Sequence, residues 1–138
     1  MFFKNNETKN KDNDLKKVAA LLIYAAKIDE NYSEKEEKII YQALLKIGAN
    51  YENIKKIIEE GKKIEENSNQ ILEFTREVKN MSEENKVKII ETLWRIIYSN
   101  KVADIYETSL MRRLAGLLYI DDKIMGDIKE KIKEEYLT

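Results

Sequence analysis

The residues of this chain that could most readily do chemistry are oxygen donors grouped in one short segment. Asp29, Asn31 and Ser33 occupy alternate positions, and Glu36 follows three residues after Ser33. Alternating ligands of this kind open a calcium loop, because Ca²⁺ and Mg²⁺ prefer carboxylate, amide and hydroxyl oxygens. The segment therefore predicts a divalent-cation site with Asp29, Asn31, Ser33 and Glu36 as its ligands.

The match to an EF-hand calcium loop is partial. Its sixth position is Glu34, where that loop needs Gly for a sharp turn, and its twelfth is Ile40, where a Glu binds the ion through both oxygens. The same residues also fit a capping box, in which the Ser33 and Glu36 side chains each accept a backbone N–H at the start of a helix. Both interpretations stay open, and capping residues are the more common feature of helix starts.

Composition excludes other kinds of chemistry. The 138-residue chain contains no Cys and no His. It therefore has no ligands for a zinc finger, no thiol nucleophile and no imidazole base, and it lacks the usual ligands of haem and iron–sulfur clusters. Catalysis by carboxylates or a Lys amine is left, but no pair of carboxylates stands out in the sequence as a general acid and base. We expect that the protein is not an enzyme.

Charge and hydropathy limit the partners. The chain has 25 basic and 26 acidic residues, whereas nucleic-acid-binding proteins concentrate Lys and Arg on one face. The longest uncharged apolar run, residues 18–26, is about half of the roughly 20 residues that a membrane-spanning helix needs. The first residues lack the apolar region of a secretory signal. We expect a cytoplasmic protein with no membrane span and no nucleic-acid partner.

The elements that must position the candidate residues are predicted to be helices. Residues 1–13 are polar and without period, so too little apolar area offsets the entropy of ordering them, and we expect a disordered tail. From Asp14 onward, apolar residues recur at spacings of three and four without strand-like alternation. The sequence thus predicts one all-α domain over residues 14–138, a compact bundle of about seven short helices joined by short turns.

The helix ends are predicted from capping residues, since the chain contains no Pro. Gly48 is expected to end the second helix, because Gly is the residue best suited to a left-handed C-cap. Residues with short polar side chains are expected to precede the seven helices. In chain order these are Asp14, Ser33, Asn50, Ser68, Ser82, Asp104 and Asp121.

An internal repeat relates the two halves of the chain. Superposing Ser33 on Asp104 and Glu36 on Glu107 also places apolar positions on apolar positions in the flanking helices. Each copy is an apolar helix, a polar turn, and a cap residue with Glu three places later. Asp104 and Glu107 form a second candidate cation site, weaker than the first because an amide, Asn100, precedes it in place of a carboxylate.

Arginine is used sparingly, which indicates a purpose that Lys does not serve. Only four Arg occur among the 25 basic residues. The planar guanidinium binds a carboxylate through two N–H groups. This favours structural ion pairs between helices, with an anion-binding or partner-docking patch as the alternative. Together with Glu30, Arg112 and Arg113 are the candidate residues of a partner surface.

Several stretches of the chain resemble the TerB (tellurite-resistance B) family. In that family the two turns usually read Ala-Asp-Gly, followed by an acidic or hydroxyl cap and a Glu. Asp29 and Glu36 match the first motif, and Glu107 matches the second. The resemblance extends over about residues 15–125, and it rests on residues 25–36, 93–100, 106–107 and 111–115.

The sequence departs from this pattern at both turns. Glu30 and Lys101 stand where the family has Gly, and Asn100 stands where it has Asp. Gly adopts left-handed backbone conformations that Glu and Lys enter only at a cost. We therefore expect the two turns to differ in shape from those of the family.

The resemblance implies a fold and a function. The fold is an all-helical bundle found in cytoplasmic tellurite-resistance proteins and in the helical domain of some J-domain co-chaperones. The function is that of a non-enzymatic interaction or regulatory domain of metal stress, with an acidic surface at the two turns and protein partners among membrane-associated stress-response components. The alternative is a Ca²⁺ or Mg²⁺ sensor or buffer that uses the turn from Asp29 to Glu36. A divalent cation is the only cofactor that either possibility calls for.

Overall fold

The computed structural model describes residues 2–28, 32–68, 71–99 and 105–137. Side chains are described for residues 12–28, 32–68, 71–99 and 107–136. Within these ranges the chain forms seven helices and no strand, which confirms the predicted all-α bundle. The helices are α1 (Phe2–Lys27), α2 (Glu34–Ile47), α3 (Ile54–Glu66), α4 (Leu72–Lys79), α5 (Glu83–Tyr98), α6 (Ile105–Leu117) and α7 (Asp122–Leu137).

Helix α1 is the central element of the bundle. Every side chain from residue 18 to residue 23 is fully buried, and Leu15, Ala25 and Ala26 are nearly so. A helix that is apolar on all sides has to be covered on all sides. Helix α1 accordingly packs against α2, α3, α4 and α5. The contact with α5 brings together the first helices of the two repeat copies.

A glycine of α3 lies close to the backbone of α1. A Cβ atom added to Gly61 lies 2.7 Å from the Cβ of Ala19 and 3.2 Å from the carbonyl oxygen of Lys16, both on α1. Small side chains let two helix backbones approach in this way. The same interface carries an ion pair of 2.8 Å between the Lys16 ammonium and the Glu60 carboxylate, and this pairing lowers the pKa of Glu60.

Several helix ends follow the predicted caps. Gly48 has φ 135°, and the N–H of Ala49 donates to the Leu44 carbonyl at 2.9 Å, which closes α2. The Ser82 hydroxyl accepts the N–H of Asn85 at 3.2 Å and so caps α5. The Asp121 carboxylate accepts the N–H of Lys123 at 2.8 Å ahead of α7. These caps were predictable because they depend only on neighbouring residues.

Other helix starts differ from the prediction. Asn50 does not directly precede α3; its side chain accepts the N–H groups of Glu52 and Asn53, both at 3.0 Å, and closes a turn ahead of the helix. Helix α4 begins at Leu72 and not after Ser68. Helix α1 begins at Phe2, so Asp14 lies inside it. The disordered state of residues 1–13 stays a prediction, as does the cap at Asp104, which lies outside the described residues.

The second residue after α6 has a strained backbone. Tyr119 has φ 55°, and the N–H of the next residue, Ile120, donates to the Ala115 carbonyl at 2.9 Å. Such a C-cap favours Gly, because a side chain in this region costs about 1–2 kcal/mol. The Tyr119 ring is 71% exposed, and the Lys79 ammonium lies 4.8 Å from its centroid.

Replacing Tyr119 with Gly is expected to raise the free energy of unfolding by up to about 1 kcal/mol. Relief of the left-handed backbone outweighs the loss of an exposed cation–π contact, worth about 0.5–1 kcal/mol. Urea denaturation measures the change. The control is Tyr51→Gly, also at an exposed position but without a positive φ, which should lose stability. Equal losses in both variants would contradict the assignment of strain to Tyr119.

Candidate functional site

The first corner, defined here as the turn between α1 and α2 together with residues 32–37, is held by a capping box. The backbone N–H and the hydroxyl of Ser33 each donate to the same oxygen of Glu36, Oε1, at 3.0 Å. The N–H of Glu36 donates in return to the Ser33 hydroxyl at 3.3 Å. Glu36 is only 1% exposed. The capping interpretation of these two residues is therefore confirmed.

Two of the four predicted cation ligands are thus brought together, and the other two cannot be placed. Asp29 and Asn31 lie outside the described residues, as does Glu30 of the predicted partner surface. In the part of the chain that is described, no three carboxylate side chains form a group that could hold a metal ion. The cation site at this corner stays a prediction, and it shares the side chains of Ser33 and Glu36 with the cap.

A tyrosine and a lysine extend the first corner toward α3. Burial, together with the nearby carboxylates of Glu37 and Glu36, raises the pKa of Tyr32 far above its usual range. Its phenol therefore stays protonated across the physiological range. The Lys62 ammonium lies 2.7 Å from the Glu37 carboxylate and 5.7 Å from the centroid of the Tyr32 ring. These contacts fix the start of α2 on α3.

The first corner adjoins the end of α5. The Lys35 ammonium donates to the carbonyl oxygen of Ser99 at 3.0 Å, and Ser99 directly follows α5. The Ser99 hydroxyl donates to the Ile96 carbonyl at 2.6 Å, and the residue is 5% exposed. The second corner, residues 99–107, starts at this point. This contact joins the first turn of α2 to the residue that follows α5.

The second corner contributes a buried carboxylate. Glu107 lies in the first turn of α6 and is 4% exposed. A carboxylate there interacts favourably with the positive end of the helix dipole. Its predicted co-ligand, Asp104, lies outside the described residues with Asn100 and Lys101. Because Glu36 and Glu107 are both buried, an acidic surface at the corners has to be formed by their neighbours.

The part of the chain that contains both corners matches a known protein family. The family model described as "Tellurite resistance protein TerB" matches residues 15–130. The chain belongs to the TerB family. The match begins at Leu15, the first buried core residue of α1 whose side chain the structure describes, and ends within α7. No curated protein and no solved structure gives a significant match.

In this TerB domain the arginines divide into two kinds. Arg95 of α5 binds Glu135 of α7 through two N–H groups, both at 3.2 Å, and also lies 3.5 Å from Glu91. It joins two helices, as the ion-pair interpretation predicted. Arg112 and Arg113 are exposed, and neither forms an ion pair with a carboxylate of the described chain. The partner role of Arg112 and Arg113 stays a prediction.

Sequence reasoning missed two residues of the TerB corners. Tyr32 stands directly before the N-cap, a position that often packs onto the helix it precedes, so its spacing was a usable signal. Lys35 reaches Ser99 across 64 positions of the chain, and no local pattern indicates such a contact.

No helix in the described ranges of this TerB protein is long and apolar enough to cross a membrane.

Proposed function

We propose that this TerB protein is a non-enzymatic interaction domain of a metal-oxyanion or general stress response, and that its partners bind the acidic surface at the two corners. The hydrogen bond of 3.0 Å from Lys35 to the Ser99 carbonyl is the observation that carries the proposal. It draws the first corner and the end of α5 together, so that a partner can contact both corners at once.

The composition supports an indirect role in resistance. The chain contains no Cys, so it has no thiol that could bind or reduce tellurite. Protection then has to act through other proteins, which we propose to be membrane-associated components of the stress response in the cytoplasm. The exposed acidic side chain of the described first corner is Glu34, and Glu30 adds a second carboxylate in the sequence. These two residues are the proposed contacts.

Reversing both charges tests this surface. We expect the double variant Glu30→Lys, Glu34→Lys to lose at least five-sixths of the partner protein that the wild type captures from a native lysate, because like charges then meet across the interface. Melting temperature should fall only modestly, since Glu34 is exposed and a basic side chain in the first turn of α2 costs about 0.3–1 kcal/mol. In cells, deletion of the gene should increase sensitivity to tellurite and peroxide, and the wild type, but not the double variant, should restore resistance.

The matched control for the charge reversal is Glu52→Lys. Glu52 is exposed and lies beyond the other end of α2, a 14-residue helix about 20 Å long. The Glu52→Lys variant should capture as much of the partner protein as the wild type does. Equal capture by the double variant and the control would contradict the proposed surface, and unchanged tellurite and peroxide sensitivity in the deletion strain would contradict the stress role.

A second candidate function is a Ca²⁺ or Mg²⁺ sensor or buffer at the first corner. The observation that favours it is the pairing of Ser33 with Glu36, since two of its four proposed ligands then lie within 3.0 Å of each other. The remaining proposed ligands are Asp29 and Asn31, with Asp104 and Glu107 as the weaker second pair. Variants of Glu36 separate this function from capping alone.

A further inference from the structure

A groove between α5, α6 and α7 plays no part in the corners. It has a volume of about 180 Å³, about the size of one large side chain. Its apolar lining includes Met111 and Met125, which are 1% and 7% exposed. Gly126 of α7 also lines it, and a Cβ atom added there meets nothing within 4 Å. The groove is therefore open at the position of Gly126.

One residue that lines this groove carries a hydrogen-bond donor without an acceptor. Trp94 lines it and is 3% exposed, and its indole N–H is buried with no hydrogen-bond partner in the described part of the chain. The ring is held in place because Tyr98 stacks on it, with centroids 5.9 Å apart. A buried N–H without an acceptor costs free energy that an incoming oxygen atom can recover. The ligand should therefore carry an acceptor.

The charges of the groove specify an anionic acceptor. Arg112 and Lys129 both line it. Arg112 has no carboxylate partner among the described residues, and the Lys129 ammonium lies 5.5 Å from the Trp94 ring centroid. Asp122 is the one acidic residue of the lining, so cations outnumber anions by two to one. A carboxylate suits this combination, because it accepts from both a guanidinium and an indole N–H.

We propose that this groove binds a segment of a partner protein that places a carboxylate beside one aliphatic side chain. The aliphatic group contacts Met111 and Met125, and the carboxylate accepts from the Trp94 indole N–H and pairs with Arg112. The size of the groove limits the anchor to one side chain. This inference rests on the proposed interaction function only in taking the partner to be a protein. It adds a second binding surface, which is basic where the surface at the corners is acidic.

The single Trp of the chain makes the test direct. The probe is acetyl-Leu-Glu-amide, titrated into ¹⁵N-labelled full-length protein, and the readout is the indole ¹H–¹⁵N signal. We expect a saturable downfield shift, at least tenfold weaker binding of acetyl-Leu-Gln-amide, and weaker binding at high salt. Gly126→Leu should abolish the shift by filling the groove, and Arg112→Gln, at an exposed position, should weaken binding at least fivefold.

Three outcomes would overturn the proposal. First, the indole signal could stay unmoved at about 20 mM peptide, a concentration well above a dissociation constant of 1 mM. Second, the amide peptide could bind as well as the acid. Third, hexanoate could bind more tightly than the peptide, which would make this a site for free aliphatic acids. The charge reversal Glu30→Lys, Glu34→Lys should leave the shift intact, while Gly126→Leu should still capture a partner of the corners. The two proposals therefore fail separately.

Discussion

Replacing Gly61 with Ala is expected to lower the free energy of unfolding by up to about 2 kcal/mol, the balance of overpacking at about 1–3 kcal/mol and a gain in helix propensity of about 1 kcal/mol. The added Cβ lies 2.7 Å from the Cβ of Ala19 and 3.3 Å from the backbone nitrogen of Ala20. These atoms belong to or directly adjoin the backbone of α1, so no flexible side chain can move aside. Urea denaturation measures the loss.

Two further variants identify the cause. Gly126→Ala makes the same change within α7, where a Cβ meets no atom within 4 Å, and it should gain about 0.5–1 kcal/mol from helix propensity. Combining Gly61→Ala with Ala19→Gly should recover at least about 1 kcal/mol relative to the sum of the single changes, as coupled neighbours do. Additive losses, or a gain in Gly61→Ala, would show that α1 and α3 do not approach as described.

Replacing Glu36 with Ala is expected to cost about 1–3 kcal/mol, because the N–H and the hydroxyl of Ser33 lose their shared acceptor. Glu36→Gln should cost clearly less, since Gln also closes a capping box. The same two variants test the cation sensor. We expect 10 mM Ca²⁺ or Mg²⁺ to leave the melting temperature of the wild type without a saturable rise, as capping alone requires.

The opposite result would support the sensor over the cap. A ligand that binds only the folded state stabilises it by about 2.7 kcal/mol at one hundred times its dissociation constant. If cation produces a saturable rise in the wild type, and Glu36→Gln folds normally but loses that rise, then the charge of Glu36 serves a cation. Asp29→Asn should then lose the rise as well, and the proposal of a surface that only binds proteins would be wrong.

The helices were predictable because their signals are local. Apolar residues at spacings of three and four, Gly48 at a helix end, and the Ser33 and Glu36 pair all act within a few positions of the chain. The contacts between helices were not predictable in the same way. Gly61 is an isolated Gly inside a helical pattern, which indicates a close contact, but nothing in the sequence names Ala19 as its neighbour.

The candidate site divides along the same line. Pairing of Ser33 with Glu36 followed from spacing, and the family resemblance agrees with the match over residues 15–130. Burial of Glu107 and the contact from Lys35 to Ser99 depend on how α5, α2 and α6 pack, which periodicity does not determine. The groove at Trp94 was missed for the same reason. Trp94 lies on the apolar face of its helix in the sequence, and only the packing of α5, α6 and α7 places it in one groove with Arg112.

The enclosure of α1 by four other helices has a consequence for cooperativity. Because α1 supplies part of the core to α2, α3, α4 and α5, neither half of the repeat retains a closed apolar interior when separated from the other. Fragments cut between α4 and α5 should each be unfolded in isolation, and the intact chain should melt in one all-or-none transition. We therefore expect the duplicated motif to fold as one unit and not as a tandem of two domains.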